Sequence, residues 1–318
     1  MQLARARQVS WRRLAQAVVL LLALGFLALL VRGQWASLTS HTWRLTPSWG
    51  VLALAGLELT WLYEVDVWRS ILRGLGGTLP YHRAARAWFL SNILRYIPGN
   101  IWQYLGMAEL AAQDGVPRLV TLTSIVLHQV LSIAAGLALA AAYFAAFSGT
   151  GAAHRLGGDW LPRLRPLLWL VPLGLLLLQP RLLERFLNWA LARLHRPAVQ
   201  VTLTWRQIWL LLLRYLLVWL AMGLSFAALV RAITPVSWAE VPYLIATWAA
   251  AYVAGFLSLL TPSGLGVREG VMVLLLAAIV PVPVAAVIAI VARIWMVVGE
   301  LLGAGGIVLF ERWPTRRP

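Results

Sequence analysis

Apolar runs long enough to cross a bilayer follow one another along this chain, and arginines crowd the breaks between them. A hydrocarbon core about 30 Å thick takes about 20 helical residues to span. The runs are Leu14–Val31, Trp49–Trp68, Leu119–Phe147, the shorter Pro166–Leu178, Gln207–Val230, Val241–Leu260 and Ala285–Phe310. No water reaches their backbone at that depth, so helix is the only open-ended structure that satisfies it. Charged residues make up 12% of the chain and hydrophobic ones 61%, with a mean hydropathy of +0.78. A soluble domain carries about 25% charged residues, and a disordered chain is far less apolar. Both classes are excluded, and residues 1–318 read as one transmembrane domain.

Charge placement orients the runs. Lys and Arg together number 27 against 11 acidic residues, and every basic one is arginine. The chain has no cysteine, which excludes disulfides, thiol nucleophiles and thiolate metal sites. The arginines cluster in short breaks rather than on one helix face, a topology signal rather than a nucleic-acid footprint. Those at 1–13, 69–86, 181–206 and 312–317 place both termini on the cytoplasmic side of a multi-pass protein. Leu14–Val31 lacks a cleavage site and reads as a retained first span. Tryptophans 11, 35, 49, 68, 160, 205, 238 and 313 lie near segment ends, at the depth amphipathic rings prefer. Residues 181–196 alternate polar and apolar at helical spacing, an amphipathic helix expected to lie in the interface.

Two stretches break the pattern. Residues 95–106 hold Arg95, Pro98, Gly99, Asn100 and Trp102; residues 260–270 hold Pro262, Ser263, Gly264, Gly266, Arg268 and Glu269. Proline removes a helix hydrogen bond and glycine permits a sharp turn. Broken backbone at membrane depth must be lined by protein or a water-filled cavity. Asn100 is the expected cap of the helix after the first break, and Thr261 of the second, with Pro262 at its first position. Helix starts with arginines beside them suit an anion such as a phosphate. Pro98 and Pro262 are 164 residues apart, as are Gly106 and Gly270, so 81–147 and 238–310 are candidate repeats. Paired broken elements in two halves mark a transporter site at a repeat interface. The expected fold is all-α: a polytopic membrane helix bundle of about eight spans, with two re-entrant elements in an inverted repeat.

Few polar groups lie inside the runs, and such groups usually face a bundle interior or a cavity. Thr121, Ser124, His128 and Ser132 share a helix face. So do Tyr243, Thr247 and Ser258 in a later run, and Arg293 and Glu300 in the last. Arg268 and Glu269 are neighbours that need separate partners, expected to be Glu300 and Arg293. Glu58 lies roughly 14 Å beyond Trp49 along a helix, near mid-bilayer.

The motif Tyr96-Ile-Pro-Gly-Asn-Ile-Trp102 resembles the "YIPGGxW" element of the flippase-like membrane proteins related to the transmembrane region of lysylphosphatidylglycerol synthase. Gly264-Leu-Gly-Val-Arg-Glu-Gly270 resembles that family's "GGLGxRE", and Arg293 stands where its late helix carries an arginine. The resemblance implies about eight spans, a bacterial or archaeal inner membrane, and movement of a lipid or lipid-linked molecule between leaflets. Asn100 and Ser263 each replace a glycine, and His128-Gln129 stands where members often carry Glu-Arg. The aminoacyl-transferase domain of the full synthase is absent from this sequence, so lysine transfer is not implied.

Three functions compete. A translocase of an anionic lipid with a phosphate headgroup needs no ATP loop, and with no lysine the chain has none. Its candidate binding residues are Arg95, Pro98, Gly99, Asn100, Trp102, His128, Ser263, Gly264, Gly266, Arg268, Glu269, Arg293 and Glu300. An embedded enzyme would need paired carboxylates or a metal cluster, and the five histidines are scattered. No catalytic residue, metal or cofactor is therefore expected, nor a nucleic-acid partner. A non-transporting anchor for an envelope-lipid enzyme is the alternative.

Overall fold

The computed structural model describes residues 45–96, 101–193, 197–198, 200–258, 264 and 266–312. The expected first span, both termini, Pro98, Gly99, Asn100 and 259–263 lie outside these residues. The described chain is helical, with no strand among the described residues.

α1 (Pro47–Arg73) leads to α2 (Tyr81–Asn92) and a 3-10 turn, Ile93–Tyr96. Beyond the first break come α3 (Trp102–Gln113) and α4 (Arg118–Phe147). α5 (Gly151–Gly157), α6 (Trp160–Arg163), α7 (Arg165–Gly174) and α8 (Pro180–Arg193) connect the halves. α9 (Trp205–Ile233), α10 (Val241–Leu257), α11 (Val267–Leu276) and α12 (Val282–Arg312) complete the bundle.

Four helices are long and apolar enough to cross a membrane: Arg118–Phe147, Trp205–Ile233, Trp238–Leu257 and Val282–Glu311. The expected count of about eight is not reached among the described residues. α1 is 27 residues long, enough at about 1.5 Å per residue, but Glu58, Glu64 and Asp66 lower its hydropathy. α2 and α3 have 12 residues each and α11 has 10, too short to cross alone. α7 ends in a 3-10 turn after Pro172 and packs along α4.

Membrane-type amphipathicity shows in what is buried. Leu210, Leu213, Leu217, Leu220 and Leu224 form an exposed stripe at helical spacing on α9, while Tyr215, Trp219 and Phe226 face inward. In water that stripe would be an aggregation surface; in lipid it is the outer wall. Gly299 and Gly303, four apart on α12, open a groove filled by Leu57, Glu58 and Trp61 of α1 and Phe89 of α2. Glu58 is thus set against the α12 glycines. α8 buries Leu183 and Leu187 and exposes Leu182, Phe186 and Trp189. Its apolar face is split, one edge in the bundle and the other outward, and its described length stops at Arg193 rather than 196.

The ends of the bundle differ. At one end Arg83 meets Asp114, Arg86 meets Glu311, Arg118 meets Glu109, and Arg69 donates to the Leu79 carbonyl. At the other, Arg155 bridges Glu240 and the Ala278 carbonyl, and Arg231 lies between the rings of Trp49 and Trp238. α9 begins at the first end with a capping box: Thr204 Oγ1 accepts from Gln207 N, and Gln207 Oε1 accepts from Thr204 N. Thr204→Ala is expected to cost about 1 kcal/mol, read as a small drop in detergent unfolding temperature.

Two helical hairpins follow from these contacts. α2 packs against α3, with both outer ends at the arginine-rich end, where Arg83 and Asp114 pair. α10 packs against α11, and the Tyr243 hydroxyl donates to the Leu275 carbonyl at the opposite end. The order helix, break, short helix, long helix thus occurs twice. α4 and α12 begin at Arg118 and Val282, 164 residues apart like the prolines.

Candidate functional site

Where the described inner ends of the two hairpins approach each other, the bundle holds a cavity of about 400 Å³. Its depth follows from which residues line it. Trp219 is the central residue of α9, and its indole donates to the carbonyl of Ser132, midway along α4. Trp61 of α1 and Met296 of α12 are also near their helix centres, and all of these line the cavity. Gly136 makes room for the Trp219 indole, since any β-carbon there would overlap it.

The first tip contributes Arg95, Gln103 and Tyr104; the second contributes Gly255, Ser258, Gly264 and Arg268. α4 adds His128, and α12 adds Arg293 and Glu300. Six of the thirteen sequence candidates, Arg95, His128, Gly264, Arg268, Arg293 and Glu300, line this cavity, and a seventh, Glu269, lies behind Arg293. Trp102 is exposed and Gly266 stands beside the cavity wall. Pro98, Gly99, Asn100 and Ser263 are outside the described residues.

The ion pairs differ from the expected set in one respect. Arg293 Nη1 donates to Glu269 Oε1 at 2.9 Å, as the sequence suggested. Glu300 is taken by Arg95 instead of Arg268, with Nη1 and Oε1 2.9 Å apart. The reason is tertiary: the first tip descends on α12 at Glu300, while Arg268 turns between aromatic rings. Its guanidinium lies 5.4 Å from the Trp248 centroid and 6.0 Å from that of Tyr252, with Nη1 3.0 Å from Met296 Sδ. Nε is 3.7 Å from Glu269 Oε1, beyond hydrogen-bond reach. Among the described residues, neither Nε nor Nη2 of this buried arginine has a hydrogen-bond partner.

The helix starts also differ from expectation. α11 begins at Val267, after Gly266, so Thr261 and Pro262 precede its N-terminus by several residues. Glu269 Oε2 accepts from Gly266 N at 2.8 Å. The positive end of α11 therefore already holds a carboxylate, and anion attraction on this side falls to Arg268. α3 begins at Trp102 with Ile101 in the capping place, so Asn100 is not its cap.

Sequence reasoning overlooked Glu64, which lines the cavity from α1, and the ring wall of Trp61, Trp88, Trp219 and Trp248. Glu64 had the same signal as Glu58, an acid inside an apolar run. Trp219 and Trp248 stand in the middle of runs rather than at the ends where tryptophan belts lie. The polar face of α4 is buried as expected. Ser124 accepts from the Trp68 indole at 2.9 Å, and His128 Nδ1 lies 2.6 Å from the Tyr215 hydroxyl. No group of three metal-ligating side chains occurs among the described residues.

A family model described as the lysylphosphatidylglycerol synthase TM region matches residues 15–303, spanning both tips and every helix that lines the cavity. The chain belongs to that family. It is thus an integral membrane protein, and the motifs around Arg95 and Arg268 are the two tips just described. No curated protein matches the chain.

Proposed function

We propose that this protein moves a lipid with an anionic phosphate headgroup between the leaflets of a prokaryotic cytoplasmic membrane. The two hairpins are re-entrant elements of an inverted repeat, entering from opposite faces. The arginine-rich end is the cytoplasmic one. The headgroup enters the cavity between the tips while the acyl chains stay in the surrounding lipid. A cavity of about 400 Å³ suits a headgroup, not a whole lipid.

The observation that carries this reading is Arg268, a buried cation at mid-depth whose Nε and Nη2 have no hydrogen-bond partner among the described residues. A charge kept at such depth is expensive and marks a site of function. Arg95 and Arg293 each have a carboxylate, so their first task is to hold the tips on α12. Arg268 is left for the phosphate. The protein works as a carrier without chemistry on its substrate.

The test is purified protein in liposomes carrying a fluorescent phosphatidylglycerol, with a membrane-impermeant quencher reporting leaflet exchange. Wild-type protein is expected to expose label from both leaflets. Arg268→Gln should slow exchange about tenfold, equivalent to about 1.4 kcal/mol. It should leave thermal stability unchanged or raised, because a buried guanidinium whose Nε and Nη2 lack hydrogen-bond partners among the described residues is removed. Exchange unaffected by Arg268→Gln would sink the site. Wild-type protein that leaves the label asymmetric would favour the alternative, a non-transporting anchor for an envelope-lipid enzyme.

A further inference from the structure

Two groups in the cavity wall are not used by the lipid site as described: Glu64 and His128. Glu64 Oε1 faces His128 Nε2 at 3.9 Å, and the other ring nitrogen, Nδ1, lies 2.6 Å from the Tyr215 hydroxyl. The Trp88 ring packs edge-on against the imidazole, centroids 5.1 Å apart. Both residues line the cavity, so a proton can reach them from whatever water fills it. The other two carboxylates of the site are matched by arginines, Glu269 by Arg293 and Glu300 by Arg95. Among the described residues, the ion-pairing partner within 4 Å of Glu64 is the imidazole, a cation only when it takes up a proton.

We propose that Glu64 and His128 together bind one proton, taken up with the anionic headgroup and released with it; this rests on the translocase reading above. With the Tyr215 hydroxyl donating to Nδ1, the ring hydrogen sits on Nε2 and points at the Glu64 carboxylate. A further proton goes either onto Nδ1, with the Tyr215 oxygen then accepting, or onto Glu64. Either way the pair changes from one negative charge to none.

The charge count of the site makes the proton useful. Among the described residues, Arg95, Arg268 and Arg293 face Glu64, Glu269 and Glu300, so these side chains sum to zero with the pair unprotonated. The other ionisable groups nearby are Tyr104 of α3, Tyr252 of α10, Glu58 toward α12, and Arg214 of α9. Arg214 is bound to Asp66 at 2.7 Å, near the arginine-rich end. A phosphodiester entering alone would leave one uncompensated negative charge at mid-membrane depth, the costliest place for it. Entering with one proton on Glu64–His128, it leaves none. Headgroup and proton therefore favour each other's binding, which is coupling in the thermodynamic sense.

The experiment places the purified protein in liposomes with fluorescent phosphatidylglycerol and imposes a pH difference of one unit. At one proton per lipid, label should accumulate up to tenfold in the leaflet facing the alkaline side, and the bias should reverse with the gradient. Glu64→Gln and His128→Gln should each distribute label evenly whatever the gradient, while Glu64→Asp should keep the bias. A second measurement does not depend on the variants folding. Wild-type protein in weakly buffered detergent should take up about one proton for each short-chain phosphatidylglycerol bound. Label that moves but ignores the gradient, a bias that persists in Glu64→Gln, or binding without proton uptake overturns the proton site and leaves the translocase reading standing. Wild-type protein that moves no label at all overturns both.

Discussion

Alanine at Gly264 is expected to be among the most damaging single-methyl changes in this protein, costing about 3 kcal/mol or more. Gly264 has φ +66°, a conformation in which an L side chain is strained. Its β-carbon would lie 2.6 Å from the Gly255 carbonyl oxygen and 2.7 Å from the Gly255 carbonyl carbon and Cα. Those are backbone atoms of α10, so no side-chain rotation relieves the overlap. Gly255 is equally constrained from the other side, since a β-carbon there would meet Arg268 Cβ at 2.7 Å. The second tip is therefore glycine packed on helix backbone, and opening it displaces Arg268 from the cavity. Gly270→Ala is the control: nothing lies within 4 Å of its added carbon, and it sits inside α11. There alanine should be neutral or stabilising by up to about 1 kcal/mol. Thermal unfolding in detergent reads both, and a Gly264→Ala protein as stable as wild type would contradict the tip geometry.

Breaking the Arg293–Glu269 pair is the second large effect. Glu269 is buried, with one oxygen on Arg293 and the other on the Gly266 amide. Arg293→Gln removes the hydrogen-bonded cation of that carboxylate and leaves it Arg268 Nε at 3.7 Å, so the loss should fall at the low end for a broken buried pair, about 3 kcal/mol. Glu269→Gln strands Arg293 and should cost a similar amount, although the amide oxygen of glutamine still accepts from Gly266. The double variant should lose clearly less than the two single losses added together, with a coupling of about 0.5–3 kcal/mol in a double-mutant cycle. Additive losses would mean that the two residues act independently. The contrast with Arg268→Gln is the useful part. Three arginines of one cavity then divide by consequence: Arg95 and Arg293 are each hydrogen-bond close to a carboxylate, and Arg268 is not.

Much of this molecule was legible in its amino-acid order. The long runs read as helices because lipid leaves the backbone no other partner, and Leu119–Phe147 and Gln207–Val230 appear within α4 and α9. The described helical segments stop before each proline–glycine stretch and resume after it, at Tyr96 and Trp102 in the first half and at Leu257 and Val267 in the second. The Arg293–Glu269 pairing was also within reach, since buried charges need partners and few acids were available. Even the overlooked Glu64 had the same sequence signal as Glu58.

What the sequence left open depends on which helix lies beside which. The partner of Arg95 is more than two hundred positions away on α12, and no spacing rule connects them. Only the crossing of the first tip over α12 gives Glu300 to Arg95 and leaves Arg268 among Trp248, Tyr252 and Met296. The start of α11 moved to Val267 because Glu269 folds back on the Gly266 amide, a cap settled by side-chain geometry rather than by the proline upstream. Composition and periodicity determine that a segment is buried in lipid and where its helix must break. Which polar groups then meet at mid-depth is decided by close packing, through glycines at 264, 299 and 303 that let neighbouring elements approach, and that is a property of the assembled bundle alone.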